Sequence, residues 1–277
     1  MIQPDIAEEL GRRARRMRAD IVRMTSMAGS GHPGSAFSAA DIVSVLFFSE
    51  MNIDPDRPQW EDRDRFVLSK GHAAPVLYAA LYERGFISYE TMMSLRRIGS
   101  SLQGHPYGVM PGVDATTGSL GTGLSQAVGL ALGARMRGSR SRIYAVTGDG
   151  ECDEGQIWEA ALSASHFKLG NLAVFVDHNR FQVDGPVDEV MGLRPLADKW
   201  RSFGWRVEEI DGHNYGDILG FLERSRQSAE QPSLAVANTT KGWGVSFMRG
   251  NKYHARVLTP DELELALAEL QFPSEAS

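Results

Sequence analysis

The sequence predicts an α/β protein built on a doubly wound, mostly parallel sheet, and two observations lead to this prediction. Several short apolar runs are continuous rather than alternating, as in strands that helices cover on both faces. Between these runs lie segments with the hydrophobic spacing of helices, so strands and helices alternate along the chain. No internal repeat or linker interrupts this order, and a single domain over 1–277 is expected.

The elements follow in order from the start of the chain. A helical segment is expected over roughly 5–51, and its early arginines lie beside apolar residues spaced by three and four. That spacing predicts an amphipathic helix with a solvated basic face, formed by Arg12, Arg13, Arg15, Arg16 and Arg18. Strands are expected over 65–68, 142–147, 171–177, 206–210 and 233–238, with helices over roughly 122–137, 154–168 and 214–228.

The last part of the sequence predicts a loop followed by a helix. The segment 241–256 is interpreted as a long ordered loop because it carries glycines without helical or strand periodicity. Thr259 is expected to cap a short last helix, since its hydroxyl accepts a hydrogen bond from an unpaired amide and Pro260 suits the first turn.

Composition narrows the class of protein. The net charge is −6, which argues against nucleic acid or an anionic membrane as the main partner, because both favour a basic face. The single cysteine, Cys152, excludes an internal disulfide and fits a reducing compartment. There is no signal-peptide pattern, and no apolar run approaches the roughly 18 residues of a membrane span. A cytoplasmic protein that binds neither nucleic acid nor membrane is expected.

Polar residues follow two of the predicted strands at the edge where such sheets bind ligands. Strand 142–147 leads into Gly148-Asp149-Gly150, and strand 171–177 leads into Asn179, with 28 residues between Gly150 and Asn179. Carboxylate, amide and backbone carbonyl oxygens suit magnesium, which completes its octahedron with phosphate oxygens and water. A nicotinamide-binding unit is the competing interpretation, but the sequence lacks the Gly-x-Gly-x-x-Gly turn that this class requires.

The positions of the histidines narrow the class of protein further. Four of the seven follow a glycine, and three of these lie in the short motifs Gly31-His32-Pro33-Gly34, Ser69-Lys-Gly-His-Ala73 and Gly104-His105-Pro106. Together with the spaced metal motif and Thr116-Thr-Gly-Ser-Leu-Gly121, this order of motifs resembles the transketolase family over almost the whole chain. The resemblance implies the diphosphate-binding domain of the thiamine-diphosphate-binding fold.

The resemblance implies a cofactor site for thiamine diphosphate with Mg²⁺ or another divalent cation. The metal ligands would be the side chains of Asp149 and Asn179 and the carbonyl of Phe181. The diphosphate would be held by Asp149, Asn179, the Gly150 amide, His72 and His254, while the cofactor rings would lie against Gly118, Leu120 and Val183.

The same resemblance implies the catalytic residues. Imidazoles with an ordinary pKa near 6.5 exchange protons at working pH, and those facing the substrate channel would be His32, His72, His105 and His254. Glu154 would link active sites across a subunit boundary, although it also suits the first turn of a helix. Ser119, Thr122 and Ala255 depart from the common family pattern, which leaves the sugar substrates open.

The sequence ends at Ser277, where single-chain transketolases continue into further domains. We therefore expect an N-terminal subunit that transfers a two-carbon ketol unit from a ketose, expected to be phosphorylated, to an aldose. Its partner would be a C-terminal transketolase subunit that supplies the activating glutamate, in an α2β2 assembly. Two alternatives remain open: a subunit of a deoxyxylulose-phosphate synthase-like or 2-oxoacid-decarboxylating enzyme, and a non-catalytic cofactor-binding subunit.

Overall fold

A single parallel sheet organises the chain in the computed structural model, which describes residues 4–108 and 110–272. The ends of the domain expected over 1–277 therefore lie outside the described residues. The five strands are β1 (Arg65–Leu68), β2 (Ile143–Gly148), β3 (Leu172–His178), β4 (Arg206–Asp211) and β5 (Ser233–Asn238). They lie in the order β1-β2-β3-β5-β4, and every pair is parallel. The predicted fold class and all five predicted strands are confirmed, with shifts of one residue at some ends.

The helices fill the connections between the strands and the segment before them. Their bounds are α1 (Pro4–Ala28), α2 (Pro33–Ser38), α3 (Ala40–Val45), α4 (Ala74–Glu83), α5 (Tyr89–Met92), α6 (Thr122–Met136), α7 (Gly155–His166), α8 (Val187–Val190), α9 (Leu196–Ser202), α10 (Tyr215–Arg226) and α11 (Pro260–Glu269). A π-helical turn over Leu46–Glu50 extends α3, and 3₁₀ turns span Gly71–Ala73, Gly150–Asp153 and Ser246–Met248. No helix in the described part of the chain combines the length and apolarity needed to cross a bilayer.

Two hydrophobic cores cover the two faces of the sheet. Alternate residues of each strand enter opposite cores, as Val174 and Phe175 of β3 do. One core packs the sheet against α1–α4, α10 and α11, and the other packs it against α6, α7 and α9. Because both faces are covered, the strands are apolar at consecutive positions, which explains their continuous hydrophobic runs.

The segment before the sheet is helical as predicted, but it breaks after α1. Gly29 has φ 61° and Gly31 has φ 151°, both in the region that favours glycine. A Cβ on Gly31 would lie 2.6 Å from Thr25 Cγ2, so the chain can turn here only with glycine. The turn places His32 in a loop directly before α2.

The prediction of a fully solvated basic face on α1 is wrong at Arg18. This side chain is buried and donates hydrogen bonds to both carboxylate oxygens of Asp41, at 3.1 and 2.6 Å, and to the Phe37 carbonyl at 2.9 Å. The spacing of basic residues could not reveal this, because the partner carboxylate comes from α3. Arg12 and Arg16 are exposed as expected.

The cap of the last helix is confirmed. Thr259 Oγ1 accepts a hydrogen bond from the amide of Glu262 at 3.3 Å, and a carboxylate oxygen of Glu262 accepts one from the amide of Thr259 at 3.0 Å. The same carboxylate also accepts a hydrogen bond from the Tyr253 hydroxyl at 2.7 Å. The cap of α11 is therefore joined to the loop that carries the neighbouring His254.

Candidate active site

The carboxyl ends of β2 and β3 bring the predicted metal ligands to one edge of the sheet. Gly148 pairs in register with Asp177, so the residues that follow each strand leave side by side. Asp149 accepts hydrogen bonds from the amides of Gly150 at 2.9 Å and Arg180 at 2.6 Å. These bonds fasten the turn after β2 to the turn after β3.

A cleft at this edge collects most of the predicted cofactor residues. Its walls include, among others, Lys70, His72, Leu120, Asp149, Gly150, Asn179, Phe181, Val183 and His254. The Val183 side chain is exposed at the outer end, whereas Asp149 and Asn179 are buried. The structure thus brings together residues that are far apart in the sequence, as the motif order predicts.

A buried ion pair lies beneath the cleft. Lys70 Nζ donates to Asp177, and these two side chains are 1% and 0% exposed. The Asp177 carboxylate also accepts hydrogen bonds from Ser38 Oγ at 2.6 Å and from Thr239 Oγ1. Asn179 Nδ2 lies 3.3 Å from the same carboxylate. This network directs the amide nitrogen of Asn179 inward. Its Oδ1 accepts a hydrogen bond from the Phe181 amide at 3.1 Å and retains a second lone pair.

The electrostatics of the cleft suit a cation and an anion together. Burial, and then the neighbouring Asp177, raise the pKa of Asp149 to about 7. Burial, and then the positive charge of Lys70, lower the pKa of Lys241 to about 7. Negative charge is therefore costly at Asp149, where a bound divalent cation would relieve it, and positive charge is costly at Lys241, where a bound anion would relieve it.

The oxygen atoms at this edge of the sheet suit a magnesium site in which a bound phosphate group and water supply the remaining ligands. Asp149, Asn179 and Phe181 line the same cleft, where the two side chains would offer oxygens and the phenylalanine its carbonyl. No group of three or more His, Cys, Asp or Glu side chains arranged for a metal occurs within residues 4–108 and 110–272. A cation here would therefore take its remaining ligands from phosphate oxygens and water, as Mg²⁺ commonly does.

Three of the predicted histidines form a cluster beside the cleft. The ring centroid of His32 lies 5.4 Å from that of His72 and 5.3 Å from that of His254, and the centroids of His72 and His254 are 5.6 Å apart. Lys241 Nζ lies 2.6 Å from Nδ1 of His254 and donates at 2.9 Å to Asn251 Oδ1. The lysine thus fixes the orientation of the His254 ring.

The fourth histidine lies at the edge of this cluster. A Cβ on Gly118 would lie 3.2 Å from Cγ of His105, so the imidazole of His105 packs against the glycine backbone. Gly118 has φ 155° and its amide approaches Gly71, which precedes His72. The glycine at 118 therefore allows two histidine-bearing turns to approach each other.

All four histidines favour the neutral form. Burial is the main cause in each case, and it lowers the pKa of His32 to about 4 and that of His254 to about 3. The pKa values of His72 and His105 are also lowered, and lysine or arginine charges add to the effect. At neutral pH these imidazoles are therefore proton acceptors and neutral donors in a buried cluster.

Glu154 is not part of the cleft. It occupies the cap position before α7, and its exposed side chain makes no capping hydrogen bond. Its Cβ lies near Gly121, at the surface behind Leu120. Its expected role between subunits remains a prediction.

Sequence reasoning missed Glu151, which is buried in the wall of the cleft. Its carboxylate accepts hydrogen bonds from Ser69 Oγ at 2.5 Å, the Gly121 amide at 2.9 Å and the Gly148 amide at 3.0 Å. It therefore joins the turns after β1 and β2 to the start of α6. The one feature that could have indicated its role is its position in a helical turn directly after the glycine-rich end of β2.

Cys152, which follows Glu151, takes no part in this chemistry. It is fully buried, its thiol donates weakly to the Gly148 carbonyl at 3.4 Å, and burial raises its pKa well above the ordinary value. A buried thiol of this kind is inert.

Comparison with known proteins agrees with this geometry. Residues 8–276 match the family model described as the thiamine diphosphate-binding domain of transketolase. A 6-deoxy-6-sulfo-D-fructose transketolase subunit of Clostridium sp. is 45% identical over 245 residues, which cover 88% of this chain and 89% of that protein. One subunit of the apulose-4-phosphate transketolase of Phocaeicola vulgatus is 40% identical, with 95% of this chain and 94% of that protein covered.

Longer relatives match over part of their length. Human transketolase is 38% identical over 93% of this chain and 41% of its own. The crystal structure of transketolase from Campylobacter jejuni superposes with a TM-score of 0.91 at 32% identity, covering 100% of this chain and 44% of that one. The chain thus spans less than half the length of the solved transketolases that it matches.

Proposed function

The chain belongs to the transketolase family, as its thiamine diphosphate-binding domain, and from this premise we propose that it is the N-terminal subunit of a two-subunit transketolase. Two relatives that are named as subunits match it over nearly their full length, which supports this organisation. The partner would be a C-terminal subunit that contributes the activating glutamate, in an α2β2 assembly. The proposed compartment is the cytoplasm.

The proposed reaction moves a two-carbon ketol unit from a ketose to an aldose. Both named relatives act on substrates with an acidic group, a sulfo group in one and a phosphate in the other. We therefore expect a sugar that carries a phosphate or a comparable anionic group. When bound, thiamine diphosphate supplies the electron sink for this chemistry, and the protein supplies geometry and proton transfer.

The residues of this chain would divide the work between anchoring and proton exchange. Asp149, Asn179 and the Phe181 carbonyl would hold Mg²⁺ or another divalent cation, which neutralises the diphosphate. The Gly150 amide donates to Asp149 in this structure, so it would have to exchange that bond for a diphosphate oxygen to act as a donor. Lys70 in the wall of the cleft and Lys241 behind His254 add positive charge near the same place. Gly118, Leu120 and Val183 would lie against the cofactor rings.

The histidine cluster would hold and exchange protons at the substrate. In the tautomer in which Nδ1 of His254 accepts from Lys241, Nε2 carries the hydrogen and can donate it to a substrate oxygen. His32, His72 and His105 are neutral at pH 7 and can accept protons from substrate hydroxyl groups. Glu154, at the surface, would contact a neighbouring subunit rather than substrate.

The register of β2 and β3 is the observation on which the proposal mainly depends, because it brings Asp149 and Asn179 to the edge where His72 and His254 also lie. The test is an assay of the chain with and without its co-expressed partner, with thiamine diphosphate, Mg²⁺ and a panel of ketoses and aldoses. We expect ketol transfer by the pair and none by the chain alone. Turnover by the chain alone would refute the two-subunit proposal.

The same assay separates the alternatives. Release of CO₂ from a 2-oxoacid, without transfer between sugars, would indicate a decarboxylating enzyme instead. Tight binding of cofactor by the pair without any turnover would indicate a non-catalytic subunit. The cluster of neutral histidines favours ketose chemistry, since binding a diphosphate alone does not require four imidazoles.

A further inference from the structure

Arg96 occupies an unusual position beside the histidine cluster. It is half-buried, and its backbone has φ 58°, a conformation that residues other than glycine rarely adopt. Its amide donates to the Leu102 carbonyl at 2.7 Å, which closes the loop 96–102. Strained backbone of this kind is retained where surrounding contacts enforce it, often near functional sites.

The guanidinium group connects two turns that each carry a histidine. Nη1 donates to Ser30 Oγ at 2.9 Å, two residues before His32. The same group packs against Gly104, directly before His105, so closely that a Cβ at 104 would lie 2.6 Å from Cζ of Arg96. Glycine at 104 therefore makes room for the arginine, and the arginine fills the space between the two turns.

Within residues 4–108 and 110–272 the Arg96 guanidinium forms no ion pair with a carboxylate: Nη1 donates to Ser30, and Nε is buried without a hydrogen-bond partner. After burial, Arg96 is the largest cause that lowers the pKa of His32, ahead of His105 and Lys241. Its charge also adds to burial in lowering the pKa of His105. An arginine stays protonated across the working pH range, so this influence is permanent.

We propose that Arg96 is a positioning residue that locks the turn carrying His32 to the turn carrying His105 and maintains a fixed positive charge beside both imidazoles. The inference rests on the proposed function, which assigns these histidines to the substrate channel. In the assembled enzyme, the clamp keeps both rings in place and in the proton-accepting form. Loss of the arginine would therefore change how the histidines titrate as well as how fast the enzyme works.

The test compares Arg96→Met with Arg97→Met. Both variants remove one positive charge from adjacent positions, but Arg97 is exposed and its guanidinium lies against the Met27 sulfur, at 3.3 Å. Histidine titration is followed by NMR in the full-length chain, and the pH profile of kcat/KM is measured in the assembled enzyme. Arg96→Met should raise the pKa values of His32 and His105 by on the order of one unit, whereas Arg97→Met should leave them unchanged.

Two further variants separate charge from geometry. Arg96→Lys retains the charge but loses the planar guanidinium group that bridges the two turns. It should therefore preserve the histidine titration while lowering kcat/KM by about tenfold. Ser30→Ala removes only the hydrogen-bond acceptor, and it provides a milder form of the test if Arg96→Met does not fold. Ser30→Ala should raise KM for the sugar without shifting the titration.

Equal histidine titration in Arg96→Met and Arg97→Met would overturn the proposal. So would an unchanged KM and kcat in both Arg96→Lys and Ser30→Ala. The two readouts also keep this inference distinct from the proposed function. If the assembled protein transfers no ketol unit, the kinetic arm fails together with the proposed function, but the titration of the full-length chain still decides whether Arg96 governs the two imidazoles.

Discussion

The two halves of the candidate site are built in different ways. The proposed metal ligands follow directly from β2 and β3, and the parallel register aligns them through Gly148 and Asp177. The histidines instead come from separate loops, which approach one another through close glycine contacts and side-chain bridges. The first half takes its geometry from the sheet, whereas the second takes it from contacts between distant loops.

This difference predicts different sensitivities to mutation. Residues at the strand ends are held by backbone hydrogen bonds within a buried sheet, so a change there should remove a ligand and leave its surroundings in place. The loops depend on a few side chains, so a change in a bridging residue should displace histidines without touching the metal ligands.

The largest effect is expected at the ion pair that supports both halves. Lys70→Met should lower the free energy of unfolding by about 3–5 kcal/mol, because it leaves Asp177 buried and unpaired. The exposed pair of Lys168 with Glu230 provides the control, and Lys168→Met should cost less than about 1 kcal/mol. Urea denaturation of the full-length chain measures both. Similar losses in the two variants would mean that the pair does not support the site.

The next effect concerns the metal alone. Asp149→Ala should weaken Mg²⁺-dependent binding of thiamine diphosphate to the assembled enzyme by at least about 100-fold, because loss of a group that only supports a metal ligand already costs about 10- to 100-fold. Asp153→Ala is the control, since this half-buried carboxylate in the same turn bonds to Gln182 Nε2 at 3.2 Å outside the proposed ligand set. Calorimetric titration gives both affinities. Normal cofactor affinity in Asp149→Ala would refute the metal assignment.

A smaller effect should appear as pH dependence. Lys241 has a pKa of about 7 in the cofactor-free chain, so it is charged below pH 7 and increasingly neutral above it. A bound diphosphate favours the charged form, and binding above pH 7 should take up a proton. Cofactor affinity should therefore fall as pH rises from 7 to 9, by at most about tenfold per unit.

Calorimetry of the assembled enzyme in two buffers of different ionisation enthalpy would detect this proton. Lys241→Met should bind the cofactor more weakly, and its affinity should lose most of the dependence on pH above 7. If the wild-type protein and Lys241→Met show the same pH dependence, the lysine is not the group that takes up the proton.

The smallest effect tests the support of the histidine loops. Thr259→Ala removes the cap of α11, which is joined through Glu262 to Tyr253, and should cost about 1 kcal/mol of unfolding free energy. It should also raise KM for the sugar slightly through His254, and it should lower cofactor affinity far less than Asp149→Ala does. A loss of metal-dependent cofactor binding in this variant would contradict the separation of the two halves.

The sequence predicted the strand-end half of the site better than the loop half, for a physical reason. Continuous apolar runs identify buried strands, and parallel strands bring the residues after them together, so Asp149 and Asn179 could be paired before the structure was known. No such rule relates His32 to His105, because their approach depends on Arg96 and Gly104. Only the resemblance to a family placed these histidines in one site.

Buried charges were the main omissions. Lys70, Asp177 and Glu151 lie within or beside the motifs that the sequence made prominent, yet no local pattern indicates that they are buried and paired. Arg18 was misplaced for the same reason, since its partner Asp41 comes from another helix. The cost of burying a charge is offset by a partner that tertiary structure supplies, and such partners are invisible to periodicity.

The burial of Cys152, the one cysteine of the sequence, has a practical consequence for experiments. Because this one thiol is buried and keeps its proton, thiol-reactive dyes should leave the native wild-type chain unlabelled. A new cysteine at the exposed position of Lys252 would then carry a single fluorophore near the mouth of the cleft, because the preceding Asn251 donates to the Val183 carbonyl at 3.2 Å. Such a reporter could time the arrival of the cofactor and of the second subunit in separate stopped-flow experiments, without any substrate.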